Sequence, residues 1–280
     1  MGLAPIIEGS ARDTLIYDRT VAPSLAREDM RMESPTTLKV VAPVTSAKED
    51  GRIVVARELT KVYDTGEIEV HALRGVDLDI RRGEMVAVMG PSGCGKTTLL
   101  NCLSGLDEFS SGEVWIAGRK LSGMSDNEKT DYRALKMGFI FQNYNLLPVL
   151  KAVENVELPL LVRGDEPKAA RRKALEALAA VGLVPEAMKK PAELSGGQQQ
   201  RVAIARSLVN DPEIVFADEP TGNLDTETAR EVMDLLHRLH REKGLTIVLV
   251  THDSGIGHTA QRVVLMRNGV ILKSFRPSPS

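Results

Sequence analysis

The chain is poor in several residue types, and each shortage narrows what it can be. Only two cysteines, Cys94 and Cys102, occur among 280 residues, so a disulfide framework is excluded and a reducing compartment fits. If Cys102 lies on a helix following Cys94, eight residues separate them by about 12 Å, too far for a bond. Aromatics make up 4% of the chain, with a single tryptophan. The short basic runs "RRG" at 81 and "RRK" at 171 therefore lack the interleaved rings of a nucleic-acid surface. A formal net charge of −2 supplies no long-range field for collecting polyanions. No apolar run approaches the roughly 18 residues of a membrane span. The opening "MGLAPIIEGSARD" has neither a basic n-region nor an apolar h-region, and Ile6 breaks the myristoylation pattern. If the protein works at a membrane, another chain is expected to supply the span.

With 42% hydrophobic residues, the chain can close a sizeable core. Residues 1–52 mix Pro5, Pro23, Pro35 and Pro43 with charges and show no sustained periodicity, which predicts a flexible tail. From 53 onward the pattern becomes regular. "RIVVARELTKVY" and "VDLDI" alternate like strands, "EMVAVMG" is a short buried strand and "GKTTLLNCLSGL" a helix. "EVWIAG" and "MGFIF" are further strands, and "PKAARRKALEALAAVG" is a helix stopped by Gly182. The runs "EIVFADE" and "LTIVLVTHD" bracket the helix "TETAREVMDLLHRLHREKG". Asn268-Gly269 in "RVVLMRNGVILKSF" marks a hairpin. Buried strands alternating with helices predict an α/β fold with a mainly parallel sheet covered on both faces. The pieces between 53 and 80 predict a smaller antiparallel sheet.

"GPSGCGKT" at 90–97 lies between a strand and a helix, the setting of a phosphate-binding loop. Gly90, Pro91, Ser92, Gly93, Cys94 and Gly95 form the loop, whose glycines let backbone N–H groups curl around phosphate oxygens. Lys96 brings a cation to the β- and γ-phosphates, and the hydroxyl of Thr97 suits Mg²⁺. Cys94, at the mouth of a helix N-terminus, is expected to be a reactive thiol whose modification blocks nucleotide. "IVFADEP" at 214–220 delivers Asp218 and Glu219 to the end of a strand. By itself such a pair is an ordinary cap or solvated edge; together with the loop at 90, it reads as Mg²⁺ binding through Asp218 and water activation by Glu219. "VTHD" places His252 at the same edge, within reach of a γ-phosphate, and Gln142 ends the "MGFIF" strand where its amide can meet metal or water. "LSGGQQQ" at 194–200 starts a helix with two glycines and three amides, a compromised helix start. Ser195 there can cap a helix whose positive end faces a polyanion.

In this order, the P-loop, Gln142, "LSGGQ", "FADE", "NLD" at 223–225 and His252 resemble the ATP-binding cassette (ABC) ATPases over about residues 53–275. The resemblance implies a P-loop NTPase with a RecA-like core, a small antiparallel β subdomain and an inserted α-helical subdomain at about 143–194, all within 53–280. It implies that Tyr63 stacks on adenine, although a half-buried strand tyrosine is an equally natural reading of that residue alone. It makes Thr98 a further member of the nucleotide loop, Gln142 the lever of the Q-loop, Glu219 the general base and Asp225 a contact between two cassettes. Ser195, Gly197 and Gln198 of one copy would close on ATP held by another in a head-to-tail dimer. ATP and Mg²⁺ are the implied cofactors. A separately encoded membrane-spanning permease is the implied partner, with the ATPase on the inner, cytoplasmic face of the membrane.

"GFIFQNYNLLPVLKAVENVELPLL" resembles the branch of macrolide exporters, lipoprotein-releasing transporters and antimicrobial-peptide export systems. Lys151 stands where that branch usually has threonine, which removes a helix cap, and Gln261 where aspartate usually precedes Arg262. Two rivals remain open at the level of sequence: a soluble, non-transport ABC protein, and an ATPase that signals through a membrane protein.

Overall fold

The fold comes from a computed structural model that describes residues 51–64, 66 and 68–277. The tail expected over 1–52 lies outside these residues except for its last two, and those two already belong to the fold. The carbonyl of Gly51 accepts the N–H of Arg82, 2.8 Å away, and Arg52 pairs with Arg81.

Two sheets organise the chain. β1 (Arg52–Asp64), β2 (Glu69–Arg81), β4 (Ser111–Ile116) and β5 (Arg119–Lys120) form an antiparallel sheet in the order β2-β1-β4-β5. The larger sheet runs β10-β9-β3-β8-β7-β6. Its strands are β3 (Met85–Met89), β6 (Met137–Phe141), β7 (Ile214–Asp218), β8 (Thr246–Thr251), β9 (Arg262–Arg267) and β10 (Val270–Phe275). All neighbours are parallel except the β9–β10 hairpin. Asn268 and Gly269 both take positive φ, 49° and 78°, the backbone a two-residue turn of this hand requires.

The central strands β3, β7 and β8 are apolar except for Asp218 at the end of β7 and Thr246 and Thr251 at the ends of β8, because both faces are covered. In β3, Met85, Ala87 and Met89 face one core, and Val86 and Val88 face the other. β7 and β8 split their residues the same way. The first core is closed by α3 (Ala152–Arg163), α4 (Pro167–Ala180), α5 (Gly196–Leu208) and α6 (Thr226–Lys243). The second is closed by α1 (Lys96–Ser104) and the antiparallel sheet. Each fully buried side chain such as Phe216 contributes about 1.5–3 kcal/mol, so this sandwich is a stiff platform.

Two helices were not foreseen. α2 (Asp126–Lys136) buries only Tyr132 and so has no apolar stripe, although Ser125 and Glu128 form a complete capping box at its start. α7 is one turn, Ser254–Gly257, capped by Asp253.

The unusual residues at 151 and 261 are accommodated differently. Lys151 gives α3 no side-chain cap, as expected, but the Glu154 carboxylate accepts the Lys151 N–H at 2.8 Å. Gln261 accepts the Met85 N–H at 2.9 Å through Oε1 and donates its own N–H to the Met85 carbonyl. This ties β9 to the start of β3. Beside it, the Arg262 guanidinium grips both oxygens of Glu84, at 2.7 and 3.0 Å.

Candidate active site

Parallel strands end at one edge of a sheet, and the loops that leave β3, β6, β7 and β8 at that edge meet around a cavity of about 730 Å³. The loop after β3 fits tightly into the fold. A Cβ on Gly90 would lie 2.2 Å from the Met266 carbonyl oxygen, and one on Gly95, at φ 102°, would lie 2.4 Å from that of Ala72. No side chain larger than hydrogen can occupy either position without moving backbone. Lys96, 7% exposed, folds back and donates to the carbonyls of Gly90 and Pro91 at 2.9 and 3.0 Å. Its cation thus sits inside the loop. α1 begins at Gly95 with no side-chain cap, so its positive end is left for a ligand.

The Thr97 hydroxyl donates to Oδ1 of Asp218 at 3.1 Å, joining the loop to the end of β7. Burial pushes the Asp218 carboxyl above its ordinary range and adjacent Glu219 adds to this, while the Thr97 hydroxyl and Lys96 work in the opposite direction. A buried carboxylate that is hard to ionise gains from a cation beside it. Glu219 takes φ 47°, a strained backbone for a non-glycine residue. Its Oε1 lies 2.8 Å from Nδ1 of His252, so the structure joins these two directly. Gln142 lines the cavity and is tied to the β7–α6 loop, because Asn223 donates to the Gln142 carbonyl at 3.1 Å.

Tyr63, Ser92, Gly93 and Thr98 also line the cavity. Tyr63 is held from two sides. Its hydroxyl donates to Asp107 at 2.7 Å, and the Lys61 ammonium sits 4.6 Å from its ring centroid. Burial works against the charge on Asp107, yet the bonds from Lys61 and Tyr63 keep its carboxyl below the usual range. Lys61 and Asp107 were not foreseen; a lysine two residues before Tyr63 on the same strand face was the available signal. The Asn268-Gly269 turn was read only as a hairpin, yet it lines the cavity. Its Gly269 N–H donates to the Cys94 carbonyl at 3.0 Å, and its carbonyl accepts the Arg74 N–H at 2.9 Å.

Ser195, Gly197, Gln198 and Asp225 are not among the residues lining this cavity. Ser195 caps its own helix in a full box with Gln198, at 3.2 Å to the Gln198 N–H and 3.0 Å in return. The cap expected of Ser195 is therefore made, and Gln198 completes it from within the same helix. The adjoining glycines also have an internal cause. A Cβ on Gly197 would lie 2.4 Å from Cγ2 of Thr228, and one on Gly196 2.9 Å from the Tyr144 hydroxyl. Asp225 caps α6, accepting the Thr228 N–H and hydroxyl at 3.0 and 2.6 Å.

Cys94 requires a correction. Its side chain is 4% exposed and belongs to the core beneath the loop, so the expected reactive thiol is not presented to the cavity. Local sequence pointed to the helix dipole, whereas packing turned the sulfur inward. Cys102 is also free and buried, and burial pushes its thiol up to about 12.

Comparison with known proteins matches this geometry. A family model described as ABC transporter matches residues 73–222. The chain is 47% identical over 226 residues to the uncharacterized ABC transporter ATP-binding protein MJ0796 of Methanocaldococcus jannaschii, covering 78% of this chain and 95% of that one. It is 44% identical over 234 residues to the lipoprotein-releasing system ATP-binding protein LolD of Xanthomonas campestris pv. campestris, covering 84% and 98%. A solved dimeric, post-hydrolysis state of the cassette MJ0796, bound to ADP and Pi, superimposes with a TM-score of 0.75 and 43% identity, covering 81% of this chain and all of that one. The chain belongs to the ABC transporter family. It is an ATP-binding, ATP-hydrolysing cassette with the P-loop α/β fold expected from its sequence. Among the described residues, no helix is long and apolar enough to cross a membrane.

Burial of both cysteines gives a direct expectation. A bulky maleimide should leave Cys94 and Cys102 unlabelled in the native protein, with or without ATP, and label both after denaturation; mass spectrometry of the digested protein reads the result. Nucleotide-sensitive labelling of native Cys94 would contradict the packing described.

Proposed function

We propose that residues 53–280 form the ATPase domain of a transporter, with its helical subdomain at about 143–194, and that it powers a separately encoded membrane-spanning partner. The observation that carries this reading is the joining of loop, strand end and histidine: Thr97 bonds Asp218, and His252 bonds Glu219, around one cavity. ATP would lie with its phosphates in the loop at 90–97 and its adenine on the braced ring of Tyr63.

Mg²⁺ fits the donor set, since the Thr97 hydroxyl, the Asp218 carboxylate and the Gln142 amide oxygen are all hard oxygen ligands. When bound, it would neutralise charge on the β- and γ-phosphates. Lys96 binds the same phosphates, and Glu219 orients a water and accepts its proton. His252 holds the Glu219 carboxylate and stands at the γ-phosphate end. Ser195, Gly197, Gln198 and Asp225 lie outside their own cavity, which favours a second copy, head to tail, whose site they complete. The dimer would close on two ATP and reopen after hydrolysis. The likeness to the lipoprotein-releasing LolD supports lipoprotein release or a related export process, with the ATPase held at the inner face of the membrane by its partner.

The docking site for that partner would lie beside Gln142. Leu147, Val149, Leu161 and Val162 are exposed, Val149 at 74% and Val162 at 77%. A cleft of about 270 Å³ is lined by Phe139, Phe141 and, from the same α3 as Leu161 and Val162, Pro159, with Arg133 and Arg206 also in its walls. An exposed apolar strip of this size suits a short amphipathic helix. Val149→Glu with Val162→Glu should abolish co-purification of the membrane partner and leave ATP hydrolysis by the isolated subunit unchanged. Loss of folding would instead mark the segment as core.

Glu219→Gln keeps shape and hydrogen bonding but cannot take the proton. It should bind MgATP, hydrolyse it at least about a hundredfold more slowly, and accumulate as an ATP-held dimer in size-exclusion chromatography. Lys96→Ala should lose ATP binding, and Ser195→Arg should bind ATP without dimerising. A Glu219→Gln protein that remains monomeric while saturated with ATP would contradict the shared site.

A further inference from the structure

Gln200 lies on α5, fully buried, and the reaction as described makes no use of it. Its Nε2 donates to the carbonyl of Pro220. Its Oε1 is also buried and has no hydrogen-bond partner. Because a carbonyl can only accept, the contact with Pro220 fixes the orientation of the amide and leaves its oxygen the orphan. A buried acceptor without a donor costs stability that an apolar side chain of the same shape would not. The orphan oxygen offsets what the bond to the Pro220 carbonyl contributes, so stability alone does not account for a glutamine here.

Pro220 follows Glu219, whose backbone is held in the left-handed region at φ 47°. Such a conformation persists only where its surroundings over-determine it. The Glu219 N–H donates to the Val250 carbonyl at 2.9 Å, and the Glu219 carbonyl accepts the Gly222 N–H at 3.0 Å. Pro220 has no N–H, so its carbonyl is its one backbone polar handle, and Gln200 holds it.

We propose that Gln200 is a positioning residue for Glu219: through the Pro220 carbonyl, α5 holds the Glu219–Pro220 step so that the carboxylate faces the cavity. This rests on the reading of Glu219 as the group that orients and deprotonates water. Ser195 caps the same helix five residues earlier, about 7.5 Å along its axis. One rigid element thus presents Ser195 outward and fixes Glu219 within its own chain. Contact of Ser195 with a partner's nucleotide and alignment of Glu219 on the chain's own nucleotide become linked.

The test is a double-substitution cycle in the full chain, combining Gln200→Met with Glu219→Gln and measuring kcat, KM, ATP binding and melting temperature. Gln200→Met removes the orphan oxygen and leaves the Pro220 carbonyl unpaired, so melting should shift by no more than about 4 °C. KM and ATP binding should be unchanged, and kcat should fall at least about tenfold through misplacement of the carboxylate. On the Glu219→Gln background the same change should have less than about a twofold effect, because the residue it acts through is already disabled.

Losses that multiply across the cycle would overturn the role of Gln200 alone, as would a fall in kcat matched by lost ATP binding and lowered melting. A Glu219→Gln variant as fast as wild type would overturn the assignment of Glu219 and this inference with it. Gln200→Leu serves as a second apolar replacement. Unchanged kcat in whichever variant keeps its wild-type melting temperature, or failure of both to fold, counts against positioning.

Discussion

A polyphosphate carries several charges into a site built on an apolar sheet, and in the proposed reading the first turn of α1 meets that charge. Every other part of the site follows from this constraint. Backbone N–H groups can approach phosphate closely only if no side chain intervenes, so Gly90 and Gly95 sit where a Cβ would strike the carbonyls of Met266 and Ala72. The helix end can attract an anion because no side chain caps it. α2, α4, α5 and α6 are capped by side chains at their starts; α1 and α3 are not, and of these two only the start of α1 borders the cavity. The stiffness of the parallel sheet then places Asp218, Glu219 and His252 against that open turn from neighbouring strand ends.

The chemistry-bearing motifs were legible because each occupies a short contiguous run with its own local geometry: a glycine loop before a helix, or a carboxylate pair after an apolar strand. Groups that act through packing were not. Asp107 reaches Tyr63 across 44 residues of chain, and the Asn268-Gly269 turn reaches the loop at Cys94 across even more. Gln200 looked like one of three similar amides, and only burial separates it from its neighbours. α2 escaped notice because helix recognition relied on an apolar stripe, while its capping box was visible in "SDNE". Cys94 shows the opposite error. The dipole argument was sound for an exposed thiol, but the sulfur faces the core.

The glycines of "LSGGQQQ" answer to two demands at once. Gly196 and Gly197 lie against the Tyr144 hydroxyl and Thr228 within the chain, and in the proposed dimer they would leave room for another molecule to approach Ser195. Arg206, on the same helix, donates to the carbonyls of Tyr144 and Asn145, which have φ of 59° and 49°. α5 therefore touches the segment proposed to receive the membrane partner, the turn that carries Glu219 and the start of α6. A helix so placed can pass a displacement between these points without bending, because its own hydrogen bonds keep it rigid.

The central claim is that Ser195 and its glycines serve the nucleotide of a second copy. A direct measurement uses tagged Lys96→Ala chains, which should not hold ATP, mixed with wild-type chains and an ATP analogue carrying a photoreactive group on its γ-phosphate. After irradiation, mass spectrometry locates the label. The account predicts label on residues 194–200 of the tagged Lys96→Ala chain. Label confined to residues 194–200 of the chain that holds the nucleotide would contradict it.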